Sequence, residues 1–237
     1  MAADSFRFWV IVPAAGRSRR MQQSAFPKQY LPLADRTVIE WSMAPFIAHA
    51  ACVGVVVVIA ADDAQWTSVP LSCDPRVRAV HGGQERADSV LAGVTALRDQ
   101  CSDQDWILVH DAARPCLDSA DLERLIGELQ DDAVGGLLAA PLVDTLKRAD
   151  DDGRVAATVS REKLWRALTP QMFRYGVLSR ALEQGSQRGV VVTDEAQAVE
   201  QLDLRPRIVV GSADNFKITV PGDLARAALI LGQRKMS

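Results

Sequence analysis

Several cations lie close together near the start of the chain, in a stretch without an acidic residue: Arg17, Arg19, Arg20 and Lys28. They follow a run of small residues, Pro13-Ala14-Ala15-Gly16. Small residues let the backbone approach a ligand, successive N–H groups form concavities that bind anions, and guanidinium groups hold phosphate oxygens. The loop fits neither GxGxxG nor GxxxxGK(S/T), so we expect a different kind of phosphate-binding loop. The alternative is a solvated basic face.

A second loop, Gly82-Gly83-Gln84-Glu85-Arg86-Ala87-Asp88-Ser89, opens a predicted helix after an apolar run. Its glycine pair lets a flat base lie against the backbone. Ser89 falls in the first turn of the helix, where hydroxyl and N–H groups face a ligand. The alternative is an ordinary strand-to-helix turn with two glycines.

A third loop, Asp111-Ala112-Ala113-Arg114-Pro115, places a carboxylate after another apolar run. A carboxylate at the carboxyl end of a central strand is well placed to hold a metal or a hydroxyl group. Pro115 keeps Arg114 extended, so we expect its guanidinium to point outward. The alternative is a helix N-cap with a surface arginine. His81 and His110 lack metal-ligand spacing, and we expect both to be structural.

Two late segments also contain charged side chains. In Ala213–Thr219, the alternation of Phe216 and Ile218 predicts a short strand with both side chains in the core. Lys217 then points the other way, either toward a strand-end cleft or toward solvent. The segment Thr193-Asp194-Glu195-Ala196 is most simply the capped start of a helix.

The elements that position these loops alternate along the chain. Five apolar runs predict buried strands: Phe8–Pro13, Val53–Ala60, Val77–His81, Trp106–His110 and Gly136–Ala140. Two sets of apolar residues at helical spacing predict helices: Val90, Leu91, Val94 and Leu97, then Leu122, Leu125, Ile126 and Leu129. The alternation predicts an α/β fold, a Rossmann-like and mostly parallel sheet with helices on both faces. Such sheets bind ligands at the carboxyl ends of their strands, where the loops begin.

The segment Val143–Val159 breaks this alternation. Asp150-Asp151-Asp152-Gly153 predicts a turn between two β-capable arms, Asp144–Arg148 and Val155–Val159. A hairpin with polar arms does not fold alone, so it must lean on something, for which a partner subunit is one candidate. We interpret residues 1–237 as a single domain with a projecting β-hairpin arm at 143–159.

The composition excludes several classes of function. A formal net charge of −3 and a pI of about 5.7 do not favour binding to nucleic acid. No apolar run reaches the ~20 residues of a membrane helix, and the N-terminus has no signal-peptide pattern. Four scattered cysteines without a CxxC pair indicate reduced thiols. We expect a cytoplasmic protein without nucleic-acid or membrane partners.

The quoted motifs resemble a known family. Pro13–Gly16 with Arg20-Met21 and Pro27-Lys28-Gln29-Tyr30 resembles the N-terminal signature of sugar-phosphate nucleotidyltransferases. Four further motifs narrow the resemblance: Gly82–Val90, His110–Pro115, Ala167–Gln171 and Ala213–Lys217. Together they resemble the 2-C-methyl-D-erythritol 4-phosphate cytidylyltransferases of the non-mevalonate isoprenoid pathway. The resemblance runs collinearly from Val10 to about Leu231, and we expect no fused second enzyme.

The resemblance implies a reaction in which the 4-phosphate of methylerythritol phosphate attacks the α-phosphorus of CTP and pyrophosphate leaves. It implies Mg²⁺ held largely by the nucleotide phosphates, with no metal site on the protein. The catalytic residues would be Arg20, Lys28 and Lys217. Ribose and cytosine would be surrounded by Ala14, Ala15, Gly16, Gly83, Gln84 and Ser89. The sugar phosphate would be held by Asp111, Arg114, Thr145, Arg161 and Thr169.

The resemblance also implies a homodimer in which the arm reaches across to the partner. Thr145 and Arg161 would then act in the neighbouring subunit's site. Gln84 departs from the family pattern, which often has Asp at this position. We expect the preference for CTP to be retained, with a slightly altered base pocket.

Two other interpretations remain at this point. Another nucleotidyltransferase, such as a nucleotide-sugar or molybdopterin cytidylyltransferase, would share the first loop and Lys28, but not the combination of Asp111–Pro115 with Thr169-Pro170-Gln171. A nucleotide-binding module without catalysis would not need cations crowded at the α-phosphorus. A Rossmann oxidoreductase is disfavoured because no acidic residue follows the first loop at the required strand end.

Overall fold

The computed structural model describes residues 6–16 and 26–234. The predicted site residue Arg20, together with Arg17 and Arg19, lies outside the described residues. The elements in chain order are β1 (Phe8–Pro13), β2 (Pro32–Leu33), β3 (Arg36–Thr37), α1 (Val38–Ala48), β4 (Cys52–Ile59), β5 (Val77–His81), α2 (Arg86–Ala96), β6 (Trp106–Val109), α3 (Ser119–Leu129), β7 (Gly135–Pro141), β8 (Leu146–Ala149), β9 (Val155–Val159), β10 (Trp165–Arg174), α4 (Tyr175–Gln187), α5 (Glu195–Glu200), β11 (Arg207–Val210) and α6 (Pro221–Arg234). Short 3-10 turns occur at Lys28–Tyr30, Trp66–Ser68 and Pro70–Cys73.

Seven strands form one mixed sheet in the order β11–β7–β10–β6–β1–β4–β5. The pairs β1–β4, β1–β6, β4–β5 and β7–β11 are parallel, whereas β10 runs antiparallel between β6 and β7. The carboxyl ends of β1, β4, β5 and β6 therefore meet at one edge of the sheet. The amino-terminal half of β10 lies at the same edge because this strand runs the opposite way.

Helices cover both faces of the sheet because strand side chains alternate between two cores. On one face, Val10 of β1 packs in a buried cluster with Ile39 of α1 and Leu125 of α3. On the other face, Ile11 packs in a second cluster that includes Val90 of α2 and residues of α4 and α5. The predicted α/β fold, with a mostly parallel sheet and helices on both faces, is confirmed. Of the described helices, none is both long and apolar enough to cross a membrane.

All five predicted strands are present, and their ends agree with the prediction to within one residue. The sequence pattern predicts no strand at β10, which is long and central. Its pairing with β7 is interrupted between Ala167 and Gln171. Pro170 lies inside this interruption, and proline lacks the N–H that a ladder requires. Polar residues and a proline therefore interrupt the apolar pattern of β10, although the strand pairs with both β6 and β7.

The predicted strand at 213–219 is wrong. This segment belongs to no strand, and it is joined to the loop after β6 by a hydrogen bond from Ile218 N to Ala113 O of 2.8 Å. The predicted alternation is nevertheless present, since Phe216 and Ile218 are buried in a third cluster beside α6. Lys217 points the opposite way, toward the end of β6. An extended chain gives this alternation whether or not it pairs in a sheet.

The hairpin at 143–159 is present and forms a two-stranded sheet of its own, β8–β9. Leu146 pairs with Val159, and Gly153 in the turn has a φ of +76°, a conformation that glycine adopts without steric cost. Most of its side chains are exposed, including the apolar Val143 and Val155 at 70% and 64%. The hairpin therefore packs little against its own chain.

Candidate active site

A cleft with a volume of about 400 Å³ opens where the carboxyl ends of β1, β5 and β6 meet. This is the edge at which parallel α/β sheets bind ligands. Nine predicted site residues line the cleft: Ala14, Ala15, Gly16, Lys28, Gly83, Gln84, Ser89, Asp111 and Lys217. The structure thus brings together segments that are far apart in the sequence.

The backbone after β1 is fixed where it enters the cleft. Ala14 N donates a hydrogen bond to Val58 O (2.7 Å), which continues the pairing of β1 with β4. The buried amide of Gln29 donates to Ala14 O (2.7 Å). At Gly16 an added Cβ would meet no heavy atom within 4 Å, so this glycine leaves open space beside the backbone. The first loop therefore presents main-chain groups to a ligand from a rigid base.

Lys28 enters the cleft from a tight turn. Pro27 has φ −55° and ψ 140°, the extended conformation expected for it, and Lys28 begins the 3-10 turn that follows. The ammonium group of Lys28 donates to Ile218 O (2.7 Å). The neighbouring Lys217 places its Nζ 3.1 Å from Asp111 Oδ2. Two lysine ammonium groups thus line one cleft from different segments.

The glycine pair after β5 allows α2 to begin close to the sheet. An added Cβ at Gly82 would lie 2.5 Å from Ser89 Oγ, and one at Gly83 would lie 2.3 Å from Asp88 Cβ. Neither position therefore accepts a side chain unless the neighbouring side chains move. The hydroxyl of Ser89 is turned to Glu85 O (3.2 Å) in this conformation, while the residue itself lines the cleft.

Asp111 is the electrostatic centre of the cleft. Its Oδ1 lies 3.1 Å from Arg86 Nε, and its Oδ2 accepts from Arg114 Nε (3.2 Å) and faces Lys217. Burial alone would raise the pKa of Asp111, but Arg86, Lys217 and Arg114 outweigh burial and hold the pKa well below its usual range. Asp111 is therefore an anion that organises three cations.

The expectation that the Arg114 guanidinium points outward is wrong. Its side chain is only 12% exposed, and its guanidinium donates to Asp111 and to Asn215 O (2.8 Å). Pro115 restricts the Arg114 backbone but leaves its side-chain torsions free. The carboxylate and the carbonyl behind the loop then draw the guanidinium inward. Burial lowers the pKa of Arg114 despite the nearby carboxylate of Asp111.

Thr169 lies beneath Asp111 rather than in the cleft wall. Its hydroxyl accepts a hydrogen bond from Asp111 N (3.1 Å) and lies 3.0 Å from His110 Nδ1. His110 Nε2 faces Arg114 O at 3.1 Å. A carbonyl only accepts, so Nε2 carries the proton and the neutral ring accepts from Thr169 at Nδ1. His110 is structural, as predicted.

Comparison with known proteins identifies the family. The family model for 2-C-methyl-D-erythritol 4-phosphate cytidylyltransferase (IspD) matches residues 8–233. The chain belongs to this family. A protein of that name from Ectopseudomonas mendocina (strain ymp) is 54% identical over 222 residues, which cover 93% of this chain and 94% of the relative. One from Pseudomonas putida (strain GB-1) is 54% identical over 92% of each chain.

Two solved structures support the same conclusion. A Francisella tularensis 2-C-methyl-D-erythritol 4-phosphate cytidylyltransferase has a TM-score of 0.83 and 30% sequence identity, and the match covers 94% of this chain and 99% of that one. A 4-diphosphocytidyl-2C-methyl-D-erythritol synthase also has a TM-score of 0.83, at 42% identity. The chain is therefore a cytidylyltransferase, and the predicted family membership is confirmed.

Two predicted members of the family site lie away from the cleft of their own chain. Thr145 immediately precedes β8, and Arg161 follows β9, where its guanidinium donates to Val143 O. Both are exposed, and neither lines the cleft. The single chain therefore does not bring these two residues together with Asp111.

Five polar residues at the site lie outside the predicted set: Gln29, Glu85, Arg86, Thr219 and Glu195. The first four line the cleft, and Glu195 lies behind Arg86. A polar residue within a ligand-binding motif is a usable signal for Gln29, Glu85 and Arg86. Glu195 offered no such signal, because an acidic residue in a first helical turn is common.

Because His110 is buried in its neutral form, we expect the free energy of unfolding to depend on pH. Burial lowers the pKa of His110 to about 4, against about 6.5 in an unfolded chain. Between these values the unfolded chain binds a proton that the folded protein does not. The contribution of His110 to the free energy of unfolding is therefore complete above pH 6.5 and falls toward pH 4. The loss is about 3 kcal/mol from this residue.

Urea unfolding between pH 4 and pH 7 measures this effect. Replacement of His110 by Gln removes the titrating group, and we expect the stability of the variant to depend on pH less steeply, by close to one proton. Parallel pH curves for the two proteins would contradict the assignment.

Proposed function

We propose that the cleft transfers CMP from CTP to 2-C-methyl-D-erythritol 4-phosphate and releases pyrophosphate. The observation that carries the proposal is the convergence of Lys28, Lys217 and Asp111 beside the small-residue loop after β1. Lysine ammonium groups supply positive charge for a triphosphate, and the main chain at Ala14–Gly16 offers close approach to the nucleotide.

The chemistry is an in-line displacement at the α-phosphorus. A phosphate monoester is already a competent nucleophile, so no general base is required. The protein must hold the two substrates in line and neutralise charge as it develops. Lys28 and Lys217 supply this neutralisation in the proposal, together with Arg20 from the loop outside the described residues.

The nucleotide and the sugar phosphate bind at opposite ends of the cleft in this proposal. On the side of β1 and α2, ribose and cytosine lie against Ala14, Ala15, Gly16, Gly83, Gln84 and Ser89. On the side of β6, the acceptor site on Asp111 Oδ1 that Arg86 leaves unused accepts a hydrogen bond from a hydroxyl group of the sugar phosphate. Arg114 and Thr169 belong to this side, and each contacts Asp111 from behind.

Mg²⁺ in this proposal is held mainly by phosphate oxygens. Both carboxylate oxygens of Asp111 are engaged by cations, and within residues 6–16 and 26–234 no group of three or more His, Cys, Asp or Glu side chains is placed to hold a metal. Mg²⁺ commonly binds through substrate phosphates with few protein ligands, so the cleft suits an ion that arrives with the triphosphate. The ion neutralises part of the triphosphate charge.

The proposed enzyme is a homodimer built through the arm at 143–159. The arm exposes Val143 and Val155, and it packs little against its own chain. In a dimer it would bring Thr145 and Arg161 to the sugar-phosphate end of the partner's cleft, which would complete the set of predicted substrate contacts. We place this enzyme in the cytoplasm, since its four cysteines are free thiols.

Mixed dimers test the shared site. Lys28→Ala inactivates the cleft of its own subunit, whereas Arg161→Ala inactivates the cleft of the partner. When the two inactive variants are unfolded together, refolded and assayed, half of the dimers are mixed and each contains one intact site. We expect recovery to about a quarter of wild-type activity. Absence of recovery, with dimers present by light scattering, would contradict the shared site.

A substrate panel tests the reaction itself. Purified protein with Mg²⁺ and CTP should release pyrophosphate with methylerythritol phosphate and not with hexose phosphates or molybdopterin. UTP and the purine triphosphates should be poor donors despite Gln84. Transfer to another sugar phosphate would favour a different nucleotidyltransferase, whereas nucleotide binding without release would favour a module that only binds.

A further inference from the structure

Glu195 is a buried carboxylate that is joined to the cleft through one arginine. It is 1% exposed, and its two oxygens accept from Arg86 at 2.5 and 3.1 Å. Arg86 lines the cleft, and its Nε donates to Asp111 Oδ1 at 3.1 Å. The same guanidinium therefore bridges a hidden carboxylate and the carboxylate at the centre of the site.

The position of Glu195 is itself fixed by β10. The amide of Gln171 donates to Asp194 Oδ2 (3.0 Å), and its carbonyl oxygen accepts from Ala196 N (2.8 Å). Gln171 thus holds the residues on either side of Glu195. Two residues earlier, Thr169 of the same strand holds Asp111 N. The contacts form a closed circuit from β10 through Glu195 and Arg86 to Asp111 and back to β10.

Lys217 in the cleft contacts this circuit at Asp111. Asp111 uses Oδ1 for Arg86 and Oδ2 for Lys217, so the orientation of its carboxylate decides where the ammonium of Lys217 lies. Burial alone would lower the pKa of Arg86, but Glu195 and Asp111 outweigh burial and raise it. Arg86 is therefore a permanent cation held by two anions in a fixed geometry.

We propose that Glu195 is a positioning residue: through Arg86 it fixes the Asp111 carboxylate, and thereby Lys217, in the geometry that transfer needs. Without the charge of Glu195, Arg86 keeps one anionic partner and is drawn toward Asp111 or toward the phosphates of the substrate. The inference rests on the proposed function, because Lys217 matters only if the cleft transfers a nucleotidyl group.

The test is a double-mutant cycle of Glu195 and Lys217, in which the rate of CMP transfer is measured in a single turnover. Glu195→Gln keeps the shape of the side chain and removes its charge. We expect it to lower the rate of CMP transfer at saturating substrates about tenfold, while the KM for CTP changes less than about threefold. In a Lys217→Ala background the same replacement should change the rate less than about twofold, because its effect runs through the missing lysine.

A merely structural role for Glu195 would give a different result, since its effect would multiply with that of Lys217→Ala. Equal fold-changes in the two backgrounds would therefore overturn the proposal. Asp105→Asn is the matched control: Asp105 is also a largely buried carboxylate, and it caps a turn at the opposite end of β6. This control should transfer CMP at the wild-type rate.

Folding and function are separated in the same experiment. If Glu195→Gln does not fold, as judged by near-UV circular dichroism, the cycle is run with Glu195→Asp, which keeps the charge and shortens the reach to Arg86. A smaller rate loss that again disappears in the Lys217→Ala background supports the proposal, and equal losses overturn it. An inactive wild-type protein would overturn the proposed function, whereas an active one with a multiplicative cycle would overturn this inference alone.

Discussion

Replacement of Lys28 by alanine is expected to leave a folded protein whose turnover is lower by two orders of magnitude or more. Its ammonium group lies in the cleft, anchored on Ile218 O at 2.7 Å. A cation that is already aimed at developing charge costs no reorganisation during the reaction. By analogy with a lost oxyanion-hole donor, its removal costs about 3–4 kcal/mol of transition-state stabilisation.

The measurement is kcat with saturating CTP, Mg²⁺ and methylerythritol phosphate. Arg98→Ala serves as the matched control, because Arg98 is 65% exposed and pairs with Glu183 on the protein surface. This control should turn over normally. A thermal unfolding transition close to that of the wild type shows that Lys28→Ala is folded. Near-normal turnover of the Lys28 variant would remove the basis for placing catalysis in this cleft.

Replacement of Asp111 by asparagine is expected to weaken both the fold and the reaction. Asp111 is 6% exposed, and its carboxylate faces Arg86, Arg114 and Lys217. Loss of its charge leaves three cations crowded with one anion fewer, which we expect to cost about 3 kcal/mol of unfolding free energy. The value of kcat/KM for methylerythritol phosphate should fall about a hundredfold, since a charged hydrogen-bond acceptor and the anchor of Lys217 are lost together.

The pH dependence of the stability difference distinguishes charge from shape. The pKa of Asp111 is held below its usual range, so its contribution is complete above the unfolded pKa of about 3.9 and is lost as pH falls through the folded pKa. Urea unfolding of the two proteins should therefore differ at pH 7 and converge in strong acid. A constant difference at all pH values would show that the asparagine side chain merely fits badly.

Much of the fold follows from local patterns in the sequence. Val53–Ala60 consists mainly of β-branched residues, and a run of this composition predicts a buried parallel strand. The loops at the carboxyl ends of these strands then have to meet at one edge of the sheet. Most of the residues that line the cleft can therefore be predicted from the sequence alone.

The contacts that organise the cleft could not be predicted in this way. Arg86 and Glu195 meet although 109 positions separate them in the chain, and no periodicity records such a pairing. Arg114 turns inward because Asp111 and Asn215 O offer acceptors there, a choice that depends on the assembled loops. Strand β10 cannot be recognised from its pattern because Pro170 interrupts it, although β6 and β7 pair with the strand on either side.

In the proposed mechanism, the cleft at the ends of β1, β5 and β6 holds CTP with its α-phosphorus beside Lys28 and Lys217. A crystal structure of the protein with Mg²⁺ and a non-hydrolysable CTP analogue tests this most directly. We expect cytosine and ribose in contact with Ala14–Gly16, Gly83 and Gln84, and the α-phosphate within hydrogen-bond reach of both lysines. An analogue bound outside this cleft, or with its triphosphate turned away from both lysines, would overturn the proposed mechanism.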